Sequence, residues 1–277
     1  MQFKQFLLNE AKNIIIEIDK KTAVQTIKNN CKDFLNLYKK SKNLLYRGSR
    51  STNGSFSYGD SSKGTRKSKN TENYYTLIID NSSDWKQYPK RSKSFICTTS
   101  KNYAGDYGIP NLVFPKDGTS FGICPKGDIW NSFKTVEYDL EKFNSYIGSI
   151  GHAFDVKILD DTNENFKNSL LKLSKKINSK KFDSYNDYKN YFVAHGDDRN
   201  LQYDNYKNFN VSRKFYENSD NIYKFLSSLL KPTEFKLQTT SNFSVVGSGG
   251  KEVWFSGPAV FVNLEEYGAL KTFMENF

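Results

Sequence analysis

The chain has 277 residues, 37% of them hydrophobic and 16% aromatic, and its 41 Lys and Arg outnumber its 30 Asp and Glu to give a net charge of +11. That length holds one large domain or two small ones with a sizeable core, and the 22 Phe and 18 Tyr make the core aromatic-rich. Two histidines exclude a His-rich metal site, and no apolar run approaches the roughly 20 residues of a bilayer span.

The basic surplus favours polyanions such as DNA, set against a plain reading as a soluble, mildly basic protein. Cys31, Cys97 and Cys124 have no paired spacing; Cys97 and Cys124 sit in apolar runs and read as buried thiols of a reducing compartment. There is no His-Glu-x-x-His, no Cys-x-x-Cys and no Walker phosphate loop, so no metal is expected. Asp60, Asp80, Asp84 and Asp128 have no spacing that argues for a nuclease.

In residues 1–20, Phe3, Phe6, Leu7, Ala11, Ile14, Ile15 and Ile18 step by three and four, which predicts an amphipathic helix. Gln5, Asn9 and Glu10 interrupt the apolar stretch that a secretory signal needs. A second helix is predicted over about 23–40, with Val24, Ile27, Cys31, Phe34 and Leu35 on one face. Leu44-Leu45-Tyr46-Arg47-Gly48 reads as a strand. Residues 49–73, rich in Ser, Gly, Lys and Asn, read as an exposed loop. Its Arg66, Lys67 and Lys69 serve solubility or meet phosphates. Residues 74–80 and 84–88 fit either helix or strand.

A strand at 94–100 ends in Thr98-Thr99-Ser100, and a short helix is predicted at 101–108. Strands at 111–114 and 119–124 flank the turn Pro115-Lys116-Asp117-Gly118. From about 138 to 231 the pattern becomes helical. Phe166, Leu170, Leu173 and Ile177 follow Asp161-x-x-Glu164; Tyr185, Tyr188 and Phe192 make a second stripe; Ile222, Phe225, Leu226 and Leu229 a third. Strands return at 235–238, 241–246, 252–255 and 259–262, and Asn263-x-x-Glu266 opens a final helix.

Three of these strands carry groups that suit one reaction. Glu252 begins its strand directly after Gly247-Ser248-Gly249-Gly250, Arg47 stands between Tyr46 and Gly48, and Thr98-Thr99-Ser100 supplies hydroxyls. Together they resemble the groups of ADP-ribosyltransferases, whose reaction, breaking the nicotinamide bond of NAD, needs no general acid because the leaving group already carries positive charge. It needs a carboxylate beside an oxocarbenium-like ribosyl cation, a guanidinium fork on the diphosphate, and rigid hydroxyls to orient both.

In this order the three groups resemble the Arg-Ser-Glu signature of ADP-ribosyltransferases. The resemblance implies an α+β fold: a split, mostly antiparallel sheet with N-terminal helices and a helical insertion at about 138–231 in a single domain, 11–277. It implies NAD as the cofactor, Glu252 as the stabilising carboxylate and Arg47, with Gly48, as the phosphate and ribose anchor. Thr98, Thr99 and Ser100 would orient them, and Tyr103 would stack on nicotinamide. The landmarks Thr99-Ser100, Tyr107-Gly108, Val113-Phe114-Pro115 and Asp128-Ile129-Trp130 look like those of transferase-like proteins in large tailed phages.

The opening Met1 to Ala11 resembles the capsid-targeting peptide of internal head proteins in such phages, with Leu8-Asn9-Glu10 fitting a prohead protease site cut at Glu10-Ala11. That implies residues 1–10 are removed, contact with packaged DNA in the virion head interior, and delivery to the host cytoplasm, where a host protein or nucleic acid is the acceptor. One departure stands out. Arginine-directed transferases carry an acidic residue two positions before the catalytic glutamate, and this chain has Gly250. Another acceptor, plain NAD hydrolysis, or a catalytically inactive basic head protein that binds DNA or a host factor are the alternatives.

Overall fold

The computed structural model describes residues 15–40, 44–49, 54–67, 73–133, 140–196, 205–244 and 249–267. Leu8-Asn9-Glu10, Ala11 and most of the expected first helix lie outside them. The chain divides into two compact units: Met1–Lys67, Lys86–Ser132 and Thr233–Phe277 form the first, Ser68–Trp85 and Phe133–Pro232 the second.

Among the described residues the first unit is built on nine antiparallel strands: β1 (Ile15–Glu17), β2 (Tyr46–Ser49), β3 (Phe56–Asp60), β4 (Phe95–Thr98), β5 (Ile109–Pro115), β6 (Ser120–Ile123), β7 (Lys236–Thr239), β8 (Glu252–Phe255) and β9 (Pro258–Asn263). They run in the order β1-β3-β9-β5-β2-β4-β8-β6-β7. The ladders are unequal. Among the described residues β2 meets β5 through four residue pairs and β4 meets β8 through four, but β2 meets β4 only at Tyr46↔Thr98. The sheet therefore narrows to one pair between the strand of Arg47 and the strand of Thr98.

Two helices cover one face, α1 (Lys20–Asn30) and α2 (Lys32–Lys40). Ala23, Ile27, Phe34, Leu35 and Tyr38 bury against Phe95, Cys97, Phe114, Phe121, Val253 and Phe255. The predicted single helix breaks at Cys31, where the Asp117 carboxylate accepts from Lys32 N and Asp33 N at 3.1 and 2.9 Å and starts a new helix. Asp117 is placed by its turn, in which Gly118 adopts a φ of +80°.

Several expectations are corrected. Ile15 is in a strand paired with Gly59 rather than in a helix. The expected loop 49–73 contains β3, whose Ser57 and Gly59 give no strand signature; β3 is made by backbone ladders to β1 and β9 on its two edges. Of the strand expected at 241–246, the described residues form none: Thr240–Asn242 is a short 3-10 turn, and Val245 and Val246 lie outside the described residues. The Asn242 side chain accepts from Thr239 N at 2.6 Å and from its hydroxyl at 3.1 Å, local bonds that outcompete a ladder. At the C-terminal end Asn263 does cap, accepting from Glu265 N at 2.9 Å at the start of Leu264–Tyr267.

The second unit is helical: α3 (Tyr74–Asn81), α5 (Leu140–Ala153), α6 (Asn163–Ser179), α7 (Tyr185–His195), α8 (Asn205–Glu217) and α9 (Ile222–Leu229), with α4 (Lys101–Gly105) belonging to the first unit. Of the predicted stripes, Phe166, Leu170, Leu173, Ile177, Tyr188, Phe192, Ile222 and Leu226 are buried, and Tyr185, Phe225 and Leu229 are half-buried. The apolar run 74–80 resolves as α3, because Tyr74 stacks on Phe166 with ring centroids 5.0 Å apart. The cap of α6 is Thr162, accepting from Asn165 N at 3.1 Å, rather than Asp161, which holds the Asn165 amide. Among the described residues no helix is long and apolar enough to cross a membrane.

Candidate functional site

Strand register decides which groups meet. Thr98 lies directly opposite Glu252, and Ile96 opposite Trp254, so alternation puts these four on one face of the β4–β8 pair. The other face, with Phe95, Cys97, Val253 and Phe255, belongs to the core. Glu252 is pinned at both backbone ends: its N–H donates to Gly127 O at 2.7 Å and its carbonyl accepts from Cys124 N at 3.0 Å.

The hydroxyl triplet divides its work. Thr99 donates its N–H to Lys251 O and accepts from Lys251 N on its hydroxyl at 2.9 Å, so it clamps the residue before Glu252. The Thr98 hydroxyl accepts from Ser100 N at 3.2 Å, and the Ser100 hydroxyl accepts from Tyr103 N at 3.3 Å as the cap of α4. Neither bond reaches the Glu252 carboxylate.

That carboxylate is held by a residue the sequence did not mark. Arg91 Nη1 lies 2.6 Å from Glu252 Oε1, with the two side chains 7% and 16% exposed. Its guanidinium also sits 5.2 Å from the Trp254 ring, whose indole N–H donates to Pro89 O at 2.9 Å. The run Lys90 to Lys93 reads as a solvated basic patch in sequence. The available signal was Trp254, which by alternation must share the face of Glu252 and offers a plate for a guanidinium.

Arg47 stands at the junction of the sheet. Its Nη1 donates to Ile96 O at 2.7 Å, and its guanidinium lies 5.5 Å from the Phe95 ring. It thus takes up the edge of β4 that the backbone of β2 does not cover. Tyr46, not Arg47, shares the register position of Thr98, so by alternation Arg47 falls on the face of Phe95, whose ring its guanidinium approaches. Both charges nevertheless act on one group: burial pushes the Cys97 thiol up to about 12, with Arg47 lowering it and Glu252 raising it.

Two glycines set how closely the wall of the site approaches. A Cβ at Gly48 would lie 2.9 Å from Tyr107 Cβ and closer still to Ala104 O, so α4 rests directly on β2 beside Arg47. A Cβ at Gly250 would lie 2.5 Å from Ser100 Cβ and would enter the Tyr103 ring. The space beside Gly250 is therefore filled by Ser100 and Tyr103. A separate concavity of about 430 Å³, lined in part by Gln87, Tyr88, Thr119 and Ser256, lies past the opposite end of β8 and contains none of these groups.

The donor set fits an NAD molecule in chemical kind: a guanidinium for the diphosphate, a carboxylate and hydroxyls for ribose, and the 52% exposed Tyr103 ring for a planar base. No family model, curated protein or solved structure matches the chain.

Proposed function

We propose that the chain is an NAD-dependent mono-ADP-ribosyltransferase of the Arg-Ser-Glu class, packaged in a phage head and injected to modify a host macromolecule. The observation that carries this reading is the direct pairing of Thr98 with Glu252, with Arg47 on the next strand at the single-pair junction. Residues 47, 98 and 252 are far apart in sequence, and the sheet order makes their strands consecutive.

In this reading Arg47 holds the diphosphate and Glu252 accepts a hydrogen bond from the ribose and stabilises the ribosyl cation as nicotinamide leaves. The hydroxyls of Thr98 and Ser100 and the ring of Tyr103 border the same place. Buried thiols take no part: burial pushes Cys97 up to about 12 and Cys124 well above its ordinary value, so neither is a thiolate near neutral pH.

One observation favours the alternative, a catalytically inactive basic protein that binds DNA or a host factor. The Arg91–Glu252 pair neutralises the carboxylate that the cation needs. Nicotinamide release from NAD separates the two, measured for wild type and Glu252→Gln, with and without host lysate. Release that disappears in the variant supports the transferase. A folded wild-type protein that neither releases nicotinamide nor binds NAD by calorimetry overturns it. The head phase is tested separately, by N-terminal sequencing of the virion-borne protein: a mature start at Ala11 is expected.

A further inference from the structure

The mouth of the site carries rings and cations that the transfer of ADP-ribose from NAD does not by itself require. α4 packs on β2, β4 and β5, and so lies across the junction of the sheet. Tyr103 and the nearby Tyr107 are 52% and 57% exposed. The Tyr103 ring lies against Gly250, two residues before Glu252, and Tyr107 Cβ lies against Gly48, next to Arg47. One exposed ring thus marks each end of the site.

Lysines interleave with these rings. Exposed Lys101 opens α4; half-buried Lys251 is paired with Thr99; exposed Lys126 precedes Gly127, whose carbonyl holds Glu252 N. The acidic groups nearby are Asp106 just past α4, Asp128, whose carboxylate is bonded to Asn131, and Glu252, which is paired with Arg91.

We infer that this rim binds single-stranded nucleic acid and, resting on the transferase reading, that a nucleobase is the acceptor. Bases of any sequence stack on exposed aromatic rings while lysines follow the phosphates. An arginine acceptor needs the opposite environment, a carboxylate to hold and deprotonate its guanidinium. Here Ser100 and Tyr103 fill the space beside Gly250 and the surrounding lysines repel a cation. In the transfer, the C1′–N bond to nicotinamide breaks and its electron pair leaves with nicotinamide. The lone pair of a base nitrogen forms the new bond to C1′, and the proton of that nitrogen passes to solvent.

The test reads binding first, without NAD, by fluorescence anisotropy of labelled single strands of about 20 nucleotides, DNA in one arm and RNA in the other. Wild type is expected to bind at least one of them, more weakly as salt rises. The exposed-surface variant Lys101→Glu/Tyr107→Ala/Lys126→Glu is expected to bind roughly tenfold or more weakly while its nicotinamide release is unchanged. Equal binding by the two proteins, or none to either strand at low salt, overturns the inference. Radiolabelled NAD then reads the acceptor: label on the oligonucleotide supports the assignment, and label confined to protein in a nuclease-treated lysate overturns it. Rim-dependent binding with no nicotinamide release from either protein would instead overturn the transferase reading and leave the binding surface standing.

Discussion

At the scale of single residues, Glu252 and Arg91 must be treated as a unit. Removing one member of a buried ion pair strands the other charge, at a cost of about 3–5 kcal/mol. Arg91→Ala and Glu252→Ala should therefore each lower the free energy of unfolding by about 3 kcal/mol. Glu252→Gln keeps an acceptor for the guanidinium and should lose about 1–2 kcal/mol, which makes it the better probe of chemistry. The double variant Arg91→Met/Glu252→Leu should be more stable than either alanine variant, because no charge is left unpaired. Urea unfolding of the four proteins checks this, and additive losses would show that the pair is not coupled. The glutamate was legible in the sequence because a glycine run and an apolar strand frame it. Its partner was not, because Arg91 stands in a basic run that any solvated turn could carry, 161 residues away.

At the scale of elements, the position of α4 depends on two glycines that sequence patterns do not single out. A methyl at Gly48 would press on Ala104 O and Tyr107 Cβ, both backbone-anchored, so Gly48→Ala should lift α4 from β2. The expected cost is about 1–3 kcal/mol, and on the proposed transferase function NAD binding by calorimetry should be lost because Arg47 is the neighbouring residue. Gly250→Asp restores the acidic residue of arginine-directed transferases in sequence only. Its side chain must displace the Tyr103 ring and Ser100, so the variant should be destabilised by a similar 1–3 kcal/mol and gain no transfer to arginine. Label from NAD on agmatine would refute that expectation. Elements with strong local patterns were read correctly: β8 begins at Glu252, the stripe of α6 is buried, and so are Tyr188 and Phe192 of α7. The misread ones are ruled by distant partners. β3 is held by ladders on both edges and by Phe56 in the core, and the break at Cys31 is made by Asp117 from another turn.

At the scale of the whole first unit, the three thiols are part of the scaffold and tie stability to pH. Cys31 donates to Phe114 O at 3.4 Å, and Cys97 is in the core beneath the site. Burial pushes both thiols from 9.0 up to about 12, and Cys124 well above 9.0. A raised folded-state value means the fold favours the neutral thiol. Its contribution is fully present below pH 9, where folded and unfolded chains are both protonated. It is lost as pH rises from 9 toward 12, where only the unfolded chain gives up its protons. Each buried thiol then costs about 1.4 kcal/mol per pH unit. The urea midpoint should fall between pH 9 and pH 10, and the variant with all three cysteines replaced by alanine, though less stable at pH 8, should fall less steeply over that interval. Ellman's reagent should find no reactive thiol among Cys31, Cys97 and Cys124 in the native protein and all three after unfolding. An equal slope in the cysteine-free variant would move the cause to the buried tyrosines of this unit, of which Tyr38 is also raised by burial. Native reactivity at Cys97 would mean that the sheet opens at Tyr46↔Thr98, the one pair that joins its two halves and separates Arg47 from Glu252.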